Sequence, residues 1–117
     1  MSFDNGVLNI TRKTLGTPLV PSDTSEHLLY TCPLGKTAKI SVLSISNQGI
    51  VDTTFSVYHT VYGGTERTVY PNAKLYVAVP VATALEGFDL SGGDTIKVST
   101  SIALSCLFLM TGEEYQG

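Results

Sequence analysis

Tryptophan is absent from this sequence, cysteine occurs only twice, and charged side chains make up just 15% of it. Without tryptophan, and with Cys32 and Cys106 far apart, the chain lacks the parts of an antibody-type core. Neither cysteine belongs to a CxxC pair, and only His27 and His59 could join them, so no metal site is expected. A bridge between the two is geometrically open. The reading adopted is two buried free thiols acting as small hydrophobes. The seven basic side chains, Arg12, Lys13, Lys36, Lys39, Arg67, Lys74 and Lys97, are scattered, and the net charge is -3. That leaves no electrostatic footprint for a phosphate backbone, and nucleic acid is not an expected partner. No apolar run approaches the ~18 residues of a membrane-spanning helix. The opening MSFDNGVLNITRK has no basic region followed by an apolar stretch, so the expectation is a soluble chain with no secretory signal and no membrane partner.

Helical periodicity is missing as well; VATALEG, residues 81–87, has room for a turn or two at most. Short runs rich in Val, Ile, Thr and Tyr instead alternate with Gly, Pro, Asn, Asp and Ser about every ten residues, the pattern of an all-β sandwich or barrel. A length of 117 residues suits one domain, large enough to fold without metal or disulfide staples. The predicted architecture is an antiparallel β-sandwich, jelly-roll-like, with an extended N-terminal arm. Residues 1–22 form the arm or a first strand, and residues 23–117 form the sandwich.

Within the sandwich, LLYTC runs into Pro33-Leu34-Gly35-Lys36, where proline presets one turn torsion and glycine supplies a positive one. The following strand places Ala38, Ile40 and Val42 on one face, then switches parity to Leu43 and Ile45. A one-residue slip flips every later side chain, so a bulge or bend is expected near Val42. TFSVYHTVY puts Phe55, Val57, His59 and Val61 on one face and Tyr58 and Tyr62 on the other. Gly63-Gly64 then turns it back into TERTVY. After PNA a separate strand is expected with Leu75, Val77 and Val79 together, stopped by Pro80. LSGGDTIKVSTS reads as a turn and a strand with Ile96 and Val98 inward. The last strand, Ile102 to Thr111, is apolar on both faces, as in a central strand covered on both sides. The tail GEEYQG is expected to be exposed.

Residues placed for chemistry are hard to find. His59 shares its parity with core residues and reads as a core or interface histidine bonded to a neighbour, and His27 as solvated. Asp4, Asp23, Glu26, Asp52, Glu66, Glu86, Asp89 and Asp94 are dispersed over turns and read as solvated turn residues, with Glu113 and Glu114 a terminal pair. SGGDTIKV feeds a strand, whereas a phosphate cradle needs a helix N-terminus. No catalytic residue, cofactor or metal is assigned, and an enzyme is the least supported class.

The stretch LLYTCPLGKTAKISVLSISNQG resembles the pattern Tyr-Thr-x-Pro-x-Gly-Lys-Thr-Ala-x-Ile found in small virion proteins of tailed bacteriophages. The positions that carry it are Tyr30, Thr31, Pro33, Gly35, Lys36, Thr37, Ala38 and Ile40. LSGGDTIKV is similar to a late Gly-Asp turn and strand of the same group. Cys32 and Leu34 stand where Val and Ala are common. The resemblance covers Glu26 to Thr111 in the order of strands and turns, and it implies a β-sandwich carried on a phage particle.

The expected function is accordingly a non-enzymatic capsid decoration (cement) protein on the virion surface, assembled in the host cytoplasm. Its expected partners are the major capsid protein and further copies of itself, as a homodimer or homotrimer. Alternatives are a neck or tail-fibre attachment protein, or a carbohydrate-binding module using Tyr58 and Tyr62. Phe3, Val7, Leu8 and Ile10 of the arm, with Tyr58 and Tyr62, are the candidate contact residues. Removing the arm ahead of Pro18 is expected to leave the fold intact.

Overall fold

In a computed structural model, residues 10–116 are described, and among them are nine strands and no helix. One sheet has the order β1 (Ile10–Thr14), β9 (Cys106–Gln116), β3 (Lys36–Asn47) and β6 (Val81–Ala84), with β7 (Phe88–Ser91) pairing β3 beyond β6. The other has β2 (His27–Thr31), β8 (Thr95–Thr100), β4 (Thr53–Thr60) and β5 (Glu66–Leu75). Every pairing is antiparallel. Apart from the β4–β5 hairpin and the β6–β7 step, each connection crosses from one sheet to the other, which is the wrapped winding of a jelly roll.

The core is the inward parity of both sheets. Ala38, Ile40, Leu43 and Ile45 of β3 and Cys106, Phe108 and Met110 of β9 meet Phe55 and Val57 of β4 and Ile96 and Val98 of β8. The rings of Phe55 and Phe108 cross the gap edge to face, with centroids 6.2 Å apart, an arrangement favoured by the ring quadrupoles. The parity switch in β3 is resolved as its sequence requires. Ile40 pairs with Gly112 but Val42 with Thr111, so Ser41 is the extra residue of a bulge, and Ile40 and Leu43 both end up buried.

Several elements differ from the sequence reading. PNA does not separate two strands: Pro71, Asn72 and Ala73 lie inside β5. The edge strand absorbs them by register shifts opposite Ser56, with Asn72 at φ 46° and its amide donating to Ser56 Oγ at 2.9 Å. Tyr76 to Pro80 form a loop instead of a strand, leaving Val77 and Val79 exposed. Within VATALEG, Val81–Ala84 is strand β6. Strand β9 starts at Cys106, after an exposed turn holding Ile102 and Leu104, and runs on through GEEYQ, which is not an exposed tail.

The segment read as an arm or first strand is, from Ile10, a first strand. Ile10 to Thr14 pair with Tyr115 to Thr111, Leu15 is fully buried, and Leu19 bridges Phe108. A truncation ahead of Pro18 therefore removes an edge strand and a core side chain, and a fold-neutral one must stop before Ile10.

Candidate functional site

Strand directions give the sandwich two unlike ends. The first gathers the turns β2–β3, β4–β5 and β7–β8 and the start of β1. Its centre is Asp94, which closes the turn Ser91-Gly92-Gly93-Asp94 at the mouth of β8. Asp94 is 4% exposed, not solvated as read from sequence. Its Oδ1 accepts from Tyr62 N at 3.1 Å, and its Oδ2 accepts from Ser91 N at 3.1 Å and faces His59 Nε2 at 3.1 Å. Burial pushes this carboxyl up, but the Tyr62 and Ser91 amides and the His59 ring outweigh it and hold the group below its usual value.

His59 is thus the bonded core histidine its parity suggested. Its ring stands edge-on to Phe88 at 5.1 Å, and its Nδ1 is buried with no hydrogen-bond partner. Tyr62 lies past the end of β4 and its ring covers Gly93, where a Cβ would stand 2.4 Å from the ring. Gly93 (φ 88°) is required on both counts.

A second buried carboxyl sits on the open edge between the sheets. Tyr30 donates its phenol to Glu114 Oε2 at 2.5 Å, and Lys36 Nζ is 3.8 Å from Oε1. Glu114 is 4% exposed, so the terminal pair is split: Glu113 faces outward beside Lys39 in the register and Glu114 inward. Burial first, and then the Glu114 carboxylate, push the Tyr30 phenol strongly upward. Cys32 and Cys106 are both fully buried free thiols, and burial raises both. At the exposed β1–β2 loop the reverse holds for Asp23. Its bonds from Ser25, and then from His27, hold it down at about 2. His27 is accordingly half-buried and bonded to Asp23 Oδ1 at 2.8 Å.

The opposite end is apolar. It carries nine of the thirteen exposed large hydrophobic side chains among the described residues. The β3–β4 loop contributes Ile50 and Val51, the β5–β6 connection Tyr76, Val77 and Val79, the start of β6 Val81, the β8–β9 turn Ile102 and Leu104, and the β1–β2 loop Val20. Hydrogen bonds knit these loops together. Asn47 Nδ2 donates to Val51 O and Leu75 O, Val77 N to Asp52 Oδ1, Gln48 N to Ser105 O, and Leu104 N to Pro21 O.

Of the sequence-assigned contact residues, Phe3, Val7 and Leu8 lie outside the described residues. Ile10 pairs through its backbone with Tyr115, at the Asp94 end. Tyr58 is half-buried on the outer face of its sheet, its hydroxyl 2.8 Å from Ser99 Oγ. Tyr62, 65% exposed, folds over the Asp94 turn. The two tyrosines are therefore not one stacking platform, while Tyr62 and the start of β1 share an end of the molecule. Among the described residues no group of three or more His, Cys, Asp or Glu side chains is placed to hold a metal ion. Sequence reasoning missed the apolar end, because it assigned Val77, Val79, Ile102 and Leu104 to strand interiors.

No family model matches the sequence, and no curated protein matches it. Among solved structures, a chain in the structure of infectious bursal disease virus, Gt strain, superposes with a TM-score of 0.48 at 10% sequence identity. The match covers 94% of this chain and 33% of the other, so this chain spans about a third of that neighbour's length.

Proposed function

We propose that this protein is a non-enzymatic virion structural protein of a tailed phage, and specifically a decoration protein that binds the outer face of the shell. The observation that carries this reading is the division of labour among side chains. The buried polar groups His59, Asp94, Tyr30 and Glu114 are engaged in holding turns and edges. Large apolar side chains are instead displayed on the outside, with Leu34, Val61 and Tyr62 on the turns of the Asp94 end and nine more at the opposite end. Such a molecule offers surface to other proteins. The turn at Pro33–Lys36, closed by Lys36 N donating to Pro33 O at 3.2 Å, is the part through which the chain resembles phage virion proteins. In this reading the major shell protein is the partner. The shell-facing side is the Asp94 end, where β1 begins and Tyr62 is exposed.

Shell binding stabilises the particle by mass action, because the ligand engages the assembled lattice and not separated subunits. The test is the copy number of the chain relative to the major shell protein in purified particles, by quantitative mass spectrometry. It is paired with rebinding of full-length protein and of a variant lacking residues 2–9 to particles devoid of it. A simple ratio to the shell protein, with binding lost on deletion, is expected. A trace ratio assigns the protein to the neck or tail instead, and absence from particles rejects a virion role.

A further inference from the structure

The apolar end does a job that the shell-facing side does not. We infer that it is a self-association surface through which two copies of this chain meet end to end about a two-fold axis.

Area is the first argument. Scaled by residue size, the exposed fractions there, from 93% at Ile50 and 64% at Val79 to 36% at Val20, leave on the order of 800 Å² of apolar side chain in solvent. That total, summed over loops that share one end, is comparable to the ~800 Å² each partner of a standard stable interface buries. The hydrogen bonds between its loops, from Asn47, Val77, Gln48 and Leu104, make the surface preformed. Little ordering entropy is then lost on association.

Backbone strain is the second, independent argument. Leu104 holds φ 60° and is 65% exposed. A bulky side chain in the left-handed region is unfavourable, and here burial within the subunit does not offset it. Strain held at an exposed position points to a role outside the subunit. Charge argues for a second copy over an unrelated chain. Asp52 and Lys74 line one shallow cavity of about 230 Å³ at this end, with Tyr76 and Ser101. Two neighbouring charges of opposite sign are self-complementary, because across a two-fold each meets its counterpart on the other copy.

The experiment is sedimentation equilibrium on the full chain over a wide concentration range, with three variants. Wild type is expected to be a dimer in reversible equilibrium with monomer. Val79→Asp, at an exposed loop position, should weaken the dimer about tenfold or more while leaving the thermal unfolding of the monomer unchanged. Leu104→Gly relieves the left-handed strain, so its fold is secure, yet it should also weaken the dimer. Leu34→Asp, at the other end and 66% exposed, should leave the dimer intact. A wild type monomeric at every concentration overturns the inference, as does a dimer indifferent to Val79→Asp and Leu104→Gly or broken only by Leu34→Asp. Loss of particle binding by Val79→Asp in a monomeric protein would assign this end to the shell instead. The self-association argument does not rest on the shell reading, which is tested separately by copy number.

Discussion

Asp94 shows how one side chain fixes one end of this molecule. Three donors from three places converge on its carboxylate: the β4–β5 turn at Tyr62, the turn residue Ser91, and His59 on β4. Hydrogen bonds to a charged acceptor are the stronger kind, and their loss inside a protein leaves buried donors unmet. Asp94→Asn keeps the shape but removes the charge and turns an amide N–H₂ toward donors. It should cost about 1–3 kcal/mol in urea unfolding at neutral pH. The pH dependence has a definite sign. The carboxyl is held below its ordinary value in the folded state, so its contribution is fully present above the unfolded value and is lost as pH falls through the lower folded one. The stability difference between wild type and Asp94→Asn should therefore shrink as the pH is lowered below about 4. A constant difference down to acid would show that Asp94 acts through shape alone.

At the scale of strands, the close approach of β3 and β9 is set by Gly112. A Cβ there would lie 2.2 Å from Lys39 O and 2.8 Å from Leu15 Cδ1, so Gly112→Ala must part the two central strands or expel Leu15. A loss of roughly 1–3 kcal/mol is expected, as for other overpacked sites, and a thermal melt close to wild type would show that β3 and β9 do not depend on this close approach. The same pair shows what was legible in the sequence. The parity switch from Ile40 to Leu43 announced the Ser41 bulge, and Gly63-Gly64 announced the β4–β5 hairpin, because both are local signals that period two makes unambiguous. Pro71-Asn72 misled because turn residues also serve as bulge residues on an edge strand, where no neighbour needs the missing amide. Glu114 and Asp94 misled because their partners are distant in sequence: Tyr30 lies 84 residues from Glu114, and His59 lies 35 from Asp94. Alternation gives a residue its side of the sheet, but a buried carboxylate becomes plausible only once the donor across the fold is known. The apolar end was illegible for a related reason. Val77, Val79, Ile102 and Leu104 have strand composition, and only the lengths of the paired strands reveal that they fall beyond the ends.

On the scale of the whole molecule the two thiols form a natural pair of probes, one near each end. Cys32 follows β2 beside the Asp94 turn, its amide donating to Asp94 O at 2.9 Å, and Cys106 opens β9 at the apolar end, paired with Asn47. Both are fully buried, and burial disfavours both thiolates, so neither should react with a thiol reagent until the protein opens. Cys106 is joined to Asn47 on β3, while Cys32 is tied through Asp94 to β4 and β8, so the two report on different sheets. If the sandwich unfolds as one unit, as small single domains generally do, single-cysteine variants Cys32→Ser and Cys106→Ser should label at the same rate when the reagent reacts slowly relative to reclosing, a rate set by the global stability. Labelling of Cys32 ahead of Cys106 would mean that the Asp94 end opens locally. That outcome has a structural rationale in the buried Nδ1 of His59, which lacks a hydrogen-bond partner, and it would make the Asp94 end the softer of the two. Equal rates would instead mean that the two sheets, locked by Phe55 on Phe108, transmit stability from end to end. The hydrogen bonds of the Asp94 turn would then be as well protected as the core.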